Sequence, residues 1–441
     1  MKTLDHKRRP VVAVTGMGCI SSLGRDVAEN WQALTEGWSG IREITRFATN
    51  DLKTTIAGTV DLLDEAPYSA FMHSLNMARR SAREAMAGAG IGTSGSFPGP
   101  LFIATPPAEF EWPHLLRLWR GTGDPGAAGY ERLLAAARGG GFEDMAPALQ
   151  FATIAERLAD EFGVRGQPVS VCTACASGAT AIALGVEAIR RGETGAALAV
   201  GTDGTVHPEA IVRFSLLSAL STANAPPEKA AKPFARDRDG FVPAEGAAAL
   251  VLEDYDRAVA RGATVLGIVS GCGEKADDYH RTRSKPDGSA MIGAVRDALD
   301  DAGLAPEQID TVNAHGTSTP ENDKMEALAL EAVFGERAGQ IPVTANKSTV
   351  GHTLIAAGAL EAVYSLMTLQ SGTIAPTLNC DTPDPDIRLD IVRDEKRDVA
   401  VQTVLSNSFG FGGQNACLVF SHELGGNGGS GGSGGSDGGG E

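Results

Sequence analysis

The sequence predicts an α/β fold built from two similar halves. Three observations predict it. Short apolar, β-branched runs alternate with helix-period segments along the chain, which implies sheets covered by crossover helices. In each half a late strand enters a polar loop and then an alanine-rich helix: VSVCTACASGATAIALG from Val169, and VTANKSTVGHTLIAAGAL from Val343. VLGIVS followed by Gly271–Gly273 echoes VVAVTGMG near the start, which suggests an internal duplication. A chain of 441 residues fits two domains or one large fused unit. We place the halves at 11–262 and 263–424.

In chain order, 11–14 reads as a buried strand and 15–18 as a tight turn, followed by a helix over 27–34. A helix over 75–89 is stopped by Gly90; 101–104 is a short strand; 109–119 is acidic, then aromatic, then basic; 144–162 has helical spacing. Strand 169–172 leads into a small-residue helix over 176–190, then strand 196–200, a polar loop 232–240, strand 247–252 and helix 255–261. The second half gives strand 265–270, helix 291–302, strand 309–313, helix 323–334, strand 341–345, the loop NKSTVGH, helix 353–369, and strands 401–406 and 416–420 around a glycine-rich turn. The tail 425–441, GGNGGSGGSGGSDGGGE, has no apolar face to bury and reads as a flexible coil outside the fold.

Composition narrows the function. A net charge of −17, with no Lys/Arg stripe, disfavours nucleic acid and anionic membrane as partners. Six scattered cysteines in a chain this long suit a reducing, cytoplasmic home better than a disulfide framework. MKTLDHKRRP is not followed by a signal-peptide pattern, and no segment reaches the uninterrupted apolar length of a membrane span.

Cys175 is the candidate nucleophile. It sits where a strand ends and a helix begins, so the unpaired N–H groups and dipole of that helix favour thiolate. Ser177 and Gly178 are small enough to leave the sulfur approachable. We therefore expect a thiol pKa below the free value of about 8.5. A buried structural cysteine at a strand end is the competing reading, and Cys172, inside the strand, fits it better. The CxxC spacing lacks a second pair or flanking histidines, which argues against a zinc site. His315 in NAHGTST and His352 in KSTVGH stand at similar strand-to-helix loops. Singly each is more often a surface or capping residue. Jointly they suggest two imidazoles that donate through Nε2 to a developing oxyanion. Lys347 and Glu361 are either solvated residues or electrostatic supports of those histidines. The FGFGG turn over 409–413 lacks the context of a nucleotide loop.

Together TACASG, NAHGTSTPENDKME, NKSTVGHTLIAAGALEA, SNSFGFGGQNACLVF and KPFARDRDGFVPAEGAAALVLEDYDRAVARGA resemble the condensing β-ketoacyl-acyl-carrier-protein synthases of the elongating type II kind, over nearly all of 11–420. The resemblance implies the thiolase fold, a duplicated five-layer αβαβα architecture, usually homodimeric, with a heterodimer of related synthases as the variant. It implies that Cys175 carries the acyl group as a thioester. His315 and His352 support decarboxylation of malonyl-carrier protein, and Lys347 and Glu361 hold the histidines. Phe411, with Phe409 beside it, matches the gating aromatic, and the N–H groups of Cys175 and Phe411 form the oxyanion hole. Thr317 and Thr319 match residues that contact the pantetheine arm. It implies acyl-carrier protein as partner, no bound cofactor or metal, a chain extended by two carbons, and a bacterial source.

The sequence departs from that pattern in two places. LFIATPPAEFEW replaces the usual glycine-rich loop, which puts Pro106, Pro107, Phe110 and Trp112 at the expected acyl channel. EAPYSAFM, at the expected carrier-docking helix, has no positive charge, leaving Arg79 and Arg80 as substitutes. Both point to a specialised carrier or pathway, such as very-long-chain acyl groups of the lipid A kind or a nodulation-type fatty acid. Two rivals stand beside this reading: a thiolase working on CoA, which needs a second cysteine in the C-terminal turn, and a non-catalytic, channel-shaping partner subunit, which would lack the nucleophile.

Overall fold

The computed structural model describes residues 3–61, 68–91, 95–121, 126 and 128–422. Its main sheet has eleven strands: two sets of five, and a short edge strand, Asp390–Ile391, that pairs in parallel with Pro342–Thr344. The first set is β1 (Val12–Ser21), β2 (Leu101–Ala104), β3 (Val169–Val171), β4 (Ala196–Asp203) and β5 (Gly246–Asp254). The second is β6 (Gly267–Ala276), β7 (Thr311–Asn313), β8 (Pro342–Thr344), β9 (Thr403–Phe409) and β10 (Gln414–Ser421). From the centre outward the orders are β1-β5-β4-β2-β3 and β6-β10-β9-β7-β8, so each set runs first, fifth, fourth, second, third. The pairings match too: two antiparallel, then two parallel. The sets meet where β1 pairs with β6 through only Ala13–Ile268 and Val14–Gly267.

Period-two alternation explains the layers. Phe102 and Ala104, Ala197 and Ala199, and Leu250 and Leu252 face one core, while Leu101 and Ile103, Leu198 and Val200, and Ala249 and Val251 face another. The outer core holds the helices α1 (Ala70–Gly88) and α2 (Thr153–Phe162). The central core holds α3 (Ser177–Arg190) and, from the second half of the chain, α6 (Ala357–Ser371). The far core packs α4 (Ser289–Ala302) and α5 (Pro320–Phe334) on the second set of strands. Helices, sheet, helices, sheet, helices make the five expected layers.

Glycines allow the closest approaches. A Cβ on Gly16 or Gly18 would lie 2.0 Å from Ala85 O or 2.2 Å from Ser81 O of α1; on Gly271 or Gly273 it would lie 2.1 Å from Ala298 O or 2.2 Å from Ala294 O of α4. This corrects the reading of 15–18 as a turn. β1 continues to Ser21, with a register shift between Val14 and Gly16, and its glycines serve helix-on-strand contact. The middle layer repeats the device: a Cβ on Gly178 would meet Ala359 N at 2.4 Å, and one on Gly358 would meet Ala179 N at 2.6 Å.

Gly358→Val is therefore expected to push α3 and α6 apart and to lower the thermal and urea midpoints clearly, by at least about 3 kcal/mol, the upper range of core overpacking. Gly88→Ala, in a helix with nothing within 4 Å of the new Cβ, should be neutral or slightly stabilising. Equal effects of the two would refute the contact argument.

Other expectations are corrected as well. The helix expected over 144–162 divides into a 3-10 segment, Glu143–Leu149, and α2, because Pro147 interrupts it. NKSTVGH is not all loop, since Lys347–Val350 is a turn of helix. The helices Gly129–Gly139 and Pro208–Leu216 were not anticipated. One stretch, Leu354–Ser371, is after all long and apolar enough to cross a membrane, but 78% of it is buried inside the molecule, as the central layer requires. The glycine-rich tail and 65–67 of the expected docking helix lie outside the described residues.

Candidate active site

The site forms where the two sets of strands present their loops to one cavity of about 300 Å³. β3 ends at Val171 and α3 starts at Ser177, so the chain must turn sharply between them. Ala174 takes a left-handed φ of 49°, unusual for a residue with a side chain. Ser177 braces the turn: its Oγ accepts from Thr173 N–H at 2.7 Å and donates to Ala174 O at 2.5 Å. Gly410 of the glycine-rich turn packs against this elbow, since a Cβ there would lie 3.1 Å from Cys175 N. The Phe411 N–H then reaches the Cys175 sulfur.

His352 and His315 come from the other half of the sheet. His352 Nε2 lies 3.1 Å from Cys175 Sγ. Its Nδ1 accepts the Leu354 N–H at 3.2 Å, so the ring proton sits on Nε2. His315 lies edge-on to His352, with centroids 5.2 Å apart. Its Nδ1 is 3.2 Å from Lys347 Nζ, a donor only, which places the His315 proton on Nε2 too. Lys347 also donates to His315 O at 2.7 Å and pairs with Glu361. Burial, then the positive charge of Lys347, holds both imidazoles well below their usual pKa, so both are neutral donors. Burial pushes the Glu361 carboxyl up to about 7 against the opposing pull of Lys347.

The thiol expectation is overturned. Burial pushes the Cys175 pKa up to about 11, and neither the Phe411 N–H nor Lys347 offsets it. Desolvation in a closed site exceeds the pull of the helix terminus. Alkylation of Cys175 by iodoacetamide should therefore keep rising about tenfold per pH unit from pH 7 to 10, because only thiolate reacts. Peptide-resolved mass spectrometry separates it from Cys172, which is exposed. A plateau near pH 7 would contradict the buried neutral thiol.

Of the residues singled out from sequence, Cys175, His315, His352, Thr317, Thr319, Phe409, Phe411, Pro106 and Pro107 line the cavity. The Thr317 and Thr319 hydroxyls are 2.8 Å apart. Lys347 and Glu361 stand behind the histidines. Phe110 and Trp112 do not line the cavity; they are 40% and 57% exposed. This corrects their assignment to the channel: Phe110 precedes, and Trp112 starts, the amphipathic helix Trp112–Gly121, which turns them outward. Arg79 and Arg83 are both bonded to Glu161.

Two supports and three lining residues go unflagged by the sequence. Glu326, buried in α5, accepts the N–H groups of His315 and Gly316, each at 2.8 Å, and so fixes the histidine backbone. Asp203, at the end of β4, accepts Ile355 N–H at 3.2 Å, and burial pushes its pKa up to about 6. His280, Thr282 and Arg283 line the cavity. Asp203 lies 152 residues from Ile355, while Glu326 lies at the end of the NAHGTSTPENDKME run, where nothing in the spacing shows that its side chain turns back to the His315 backbone.

The ligand atoms of Cys175, His315 and His352 lie within 4.8 Å of one another, a zinc-like donor set. A dication there would have to displace the thiol proton and face the Lys347 charge, and both oppose it.

The family model for the β-ketoacyl synthase N-terminal domain matches residues 9–94 and 121–258, and that for the β-ketoacyl synthase C-terminal domain matches 266–381. The chain is 36% identical to a 3-oxoacyl-acyl-carrier-protein synthase 2 of Coxiella burnetii, over 94% of this chain and 99% of that one. It is 34% identical to the synthase of the same name in Staphylococcus aureus strain N315, over 93% and 97%. Among solved structures it is similar to a type II polyketide ketosynthase bound to a hexaketide in complex with its acyl-carrier protein (TM-score 0.82, 30% identity, 94% and 100% covered). It is also similar to a β-ketoacyl synthase from Burkholderia phymatum (TM-score 0.79, 33% identity, 94% and 100% covered). With matched models across both halves and end-to-end relatives above 30% identity, the chain belongs to the β-ketoacyl synthase family and has its thiolase fold.

Proposed function

We propose that this enzyme condenses an acyl group held on Cys175 with malonyl-acyl-carrier protein, releasing carbon dioxide and a 3-oxoacyl chain two carbons longer. The observation that carries the reading is the paired Nε2–H donors of His315 and His352, fixed by Lys347 Nζ and Leu354 N–H, beside the Cys175 thiol. In the first step the Cys175 sulfur attacks the carrier thioester. The pantetheine thiol leaves with the proton the cysteine gives up, and the N–H groups of Cys175 and Phe411 receive the oxyanion. In the second step the electrons of the breaking carbon–carboxylate bond move onto the malonyl thioester oxygen, where the two Nε2–H groups stabilise the enolate. No strong base is required. The enolate carbon then attacks the Cys175 thioester, and the sulfur leaves.

Thr317 and Thr319 take the pantetheine arm, and acyl-carrier protein is the partner of a cytoplasmic, homodimeric enzyme. We read the chain as two halves, 11–262 and 263–424, which the repeated strand order supports. The departures at 101–112 support a specialised acyl substrate.

The test is intact-protein mass spectrometry after incubation with a panel of acyl-carrier thioesters. One acyl adduct per chain on the wild type, absent from Cys175→Ala, is expected. No adduct from any chain would favour a channel-shaping partner subunit instead.

A further inference from the structure

We propose that the acyl site of this enzyme is built for a chain carrying a hydroxyl at its far end; this rests on the condensing function proposed above. Pro106, Pro107, Glu109 and Thr205 line the main cavity and also a second, smaller one of about 40 Å³. That space holds one small terminal group rather than a run of methylenes. Apolar residues such as Phe71, Phe151 and Ile154 make up most of its wall, and polar side chains are set among them: Thr105, Glu109, Glu111, Gln150, Thr205 and His207.

Thr105 is only 1% exposed, and its Oγ1 has no hydrogen-bond partner among the described residues. His207, 3% exposed, holds Glu209 through Nδ1 at 2.8 Å, while its Nε2 stands 3.9 Å from Glu109 Oε2. That gap is too long for a hydrogen bond and suits a hydroxyl bridging the two. The surrounding groups are fixed in place: Arg213 Nη2 donates to Glu109 Oε2 at 2.9 Å, and Ser69 Oγ donates to Glu111 at 3.0 Å. A hydroxyl donates and accepts at once, which is what the unpartnered Thr105 Oγ1 and the His207–Glu109 gap each call for. A methyl end satisfies neither, and a site built for a substrate hydroxyl discriminates strongly against the analogue that lacks it.

The test measures loading rates of Cys175 by intact mass spectrometry. The probes are pairs of acyl-carrier thioesters of equal length with a terminal hydroxyl or a terminal methyl, alongside a short acetyl probe. The wild type should load the hydroxylated chain at least tenfold faster than its partner at the length that reaches the second cavity. Thr105→Val should cut that ratio at least fivefold. The ratio is taken within each protein, so a general loss of activity does not imitate it. Equal loading of the pair by the wild type, or an unchanged ratio in Thr105→Val, overturns the inference while acetyl loading leaves the condensing function standing. Failure of every probe, acetyl included, overturns both.

Discussion

Cys175→Ala should abolish condensation, by at least about 10⁴-fold, yet leave decarboxylation of malonyl-carrier protein running. The two half-reactions use different groups. Acyl transfer needs the sulfur as both nucleophile and leaving group, and it is Cys175, not the other lining thiol Cys172, whose Sγ lies 3.1 Å from His352 Nε2. Carbon dioxide loss needs only the Nε2–H donors of His315 and His352, and their orientation is set by Lys347 Nζ and Leu354 N–H rather than by the thiol. Removing Sγ also frees His352 Nε2 from its 3.1 Å contact, so the donor becomes more available to the enolate oxygen. The enolate then takes a proton and leaves as acetyl-carrier protein, which mass spectrometry counts directly. If decarboxylation vanished with loading while circular dichroism stayed native, the histidines could not act independently of the cysteine.

Much of this was legible in the sequence because the chemistry is local. An elbow nucleophile, its small neighbours and the following helix occupy one short run, and each histidine stands in a run of the same kind. The duplicated fold shows in the paired glycines of β1 and β6, although those of β1 read as a turn: sequence shows where side chains are missing, not which backbone fills the space. The bracing roles of Glu326 and Asp203 are illegible for a related reason, unlike that of Glu361. Glu326 is 11 residues from His315 and meets it only because α5 folds back over β7, and Asp203 meets Ile355 across 152 residues. The thiol pKa was misjudged because helix position is visible in sequence and burial is not.

The second large effect is expected at Lys347. Lys347→Met keeps the length of the side chain and removes the donor that holds His315 Nδ1. The ring is then free to carry its proton on Nδ1 and present a lone pair, rather than N–H, to the enolate. Losing one such preorganised donor costs about 10²–10³ in rate, so decarboxylation should fall by that factor. Acyl loading should fall less, at most about tenfold, because the oxyanion there is met by backbone N–H groups and Lys347 only lowers the thiol pKa from behind. The fold should survive. Glu361 already has a pKa near 7, and losing its cation raises it further, so at pH 7 it takes up a proton instead of remaining a buried, unpaired charge. Glu361→Gln should have a smaller effect, since Lys347 keeps its bonds to His315 Nδ1 and His315 O. The deciding quantity is the ratio of decarboxylation to loading in each variant. A ratio that drops in Lys347→Met identifies a positioning residue acting through His315, whereas equal losses in both half-reactions would reduce Lys347 to a prop for the fold.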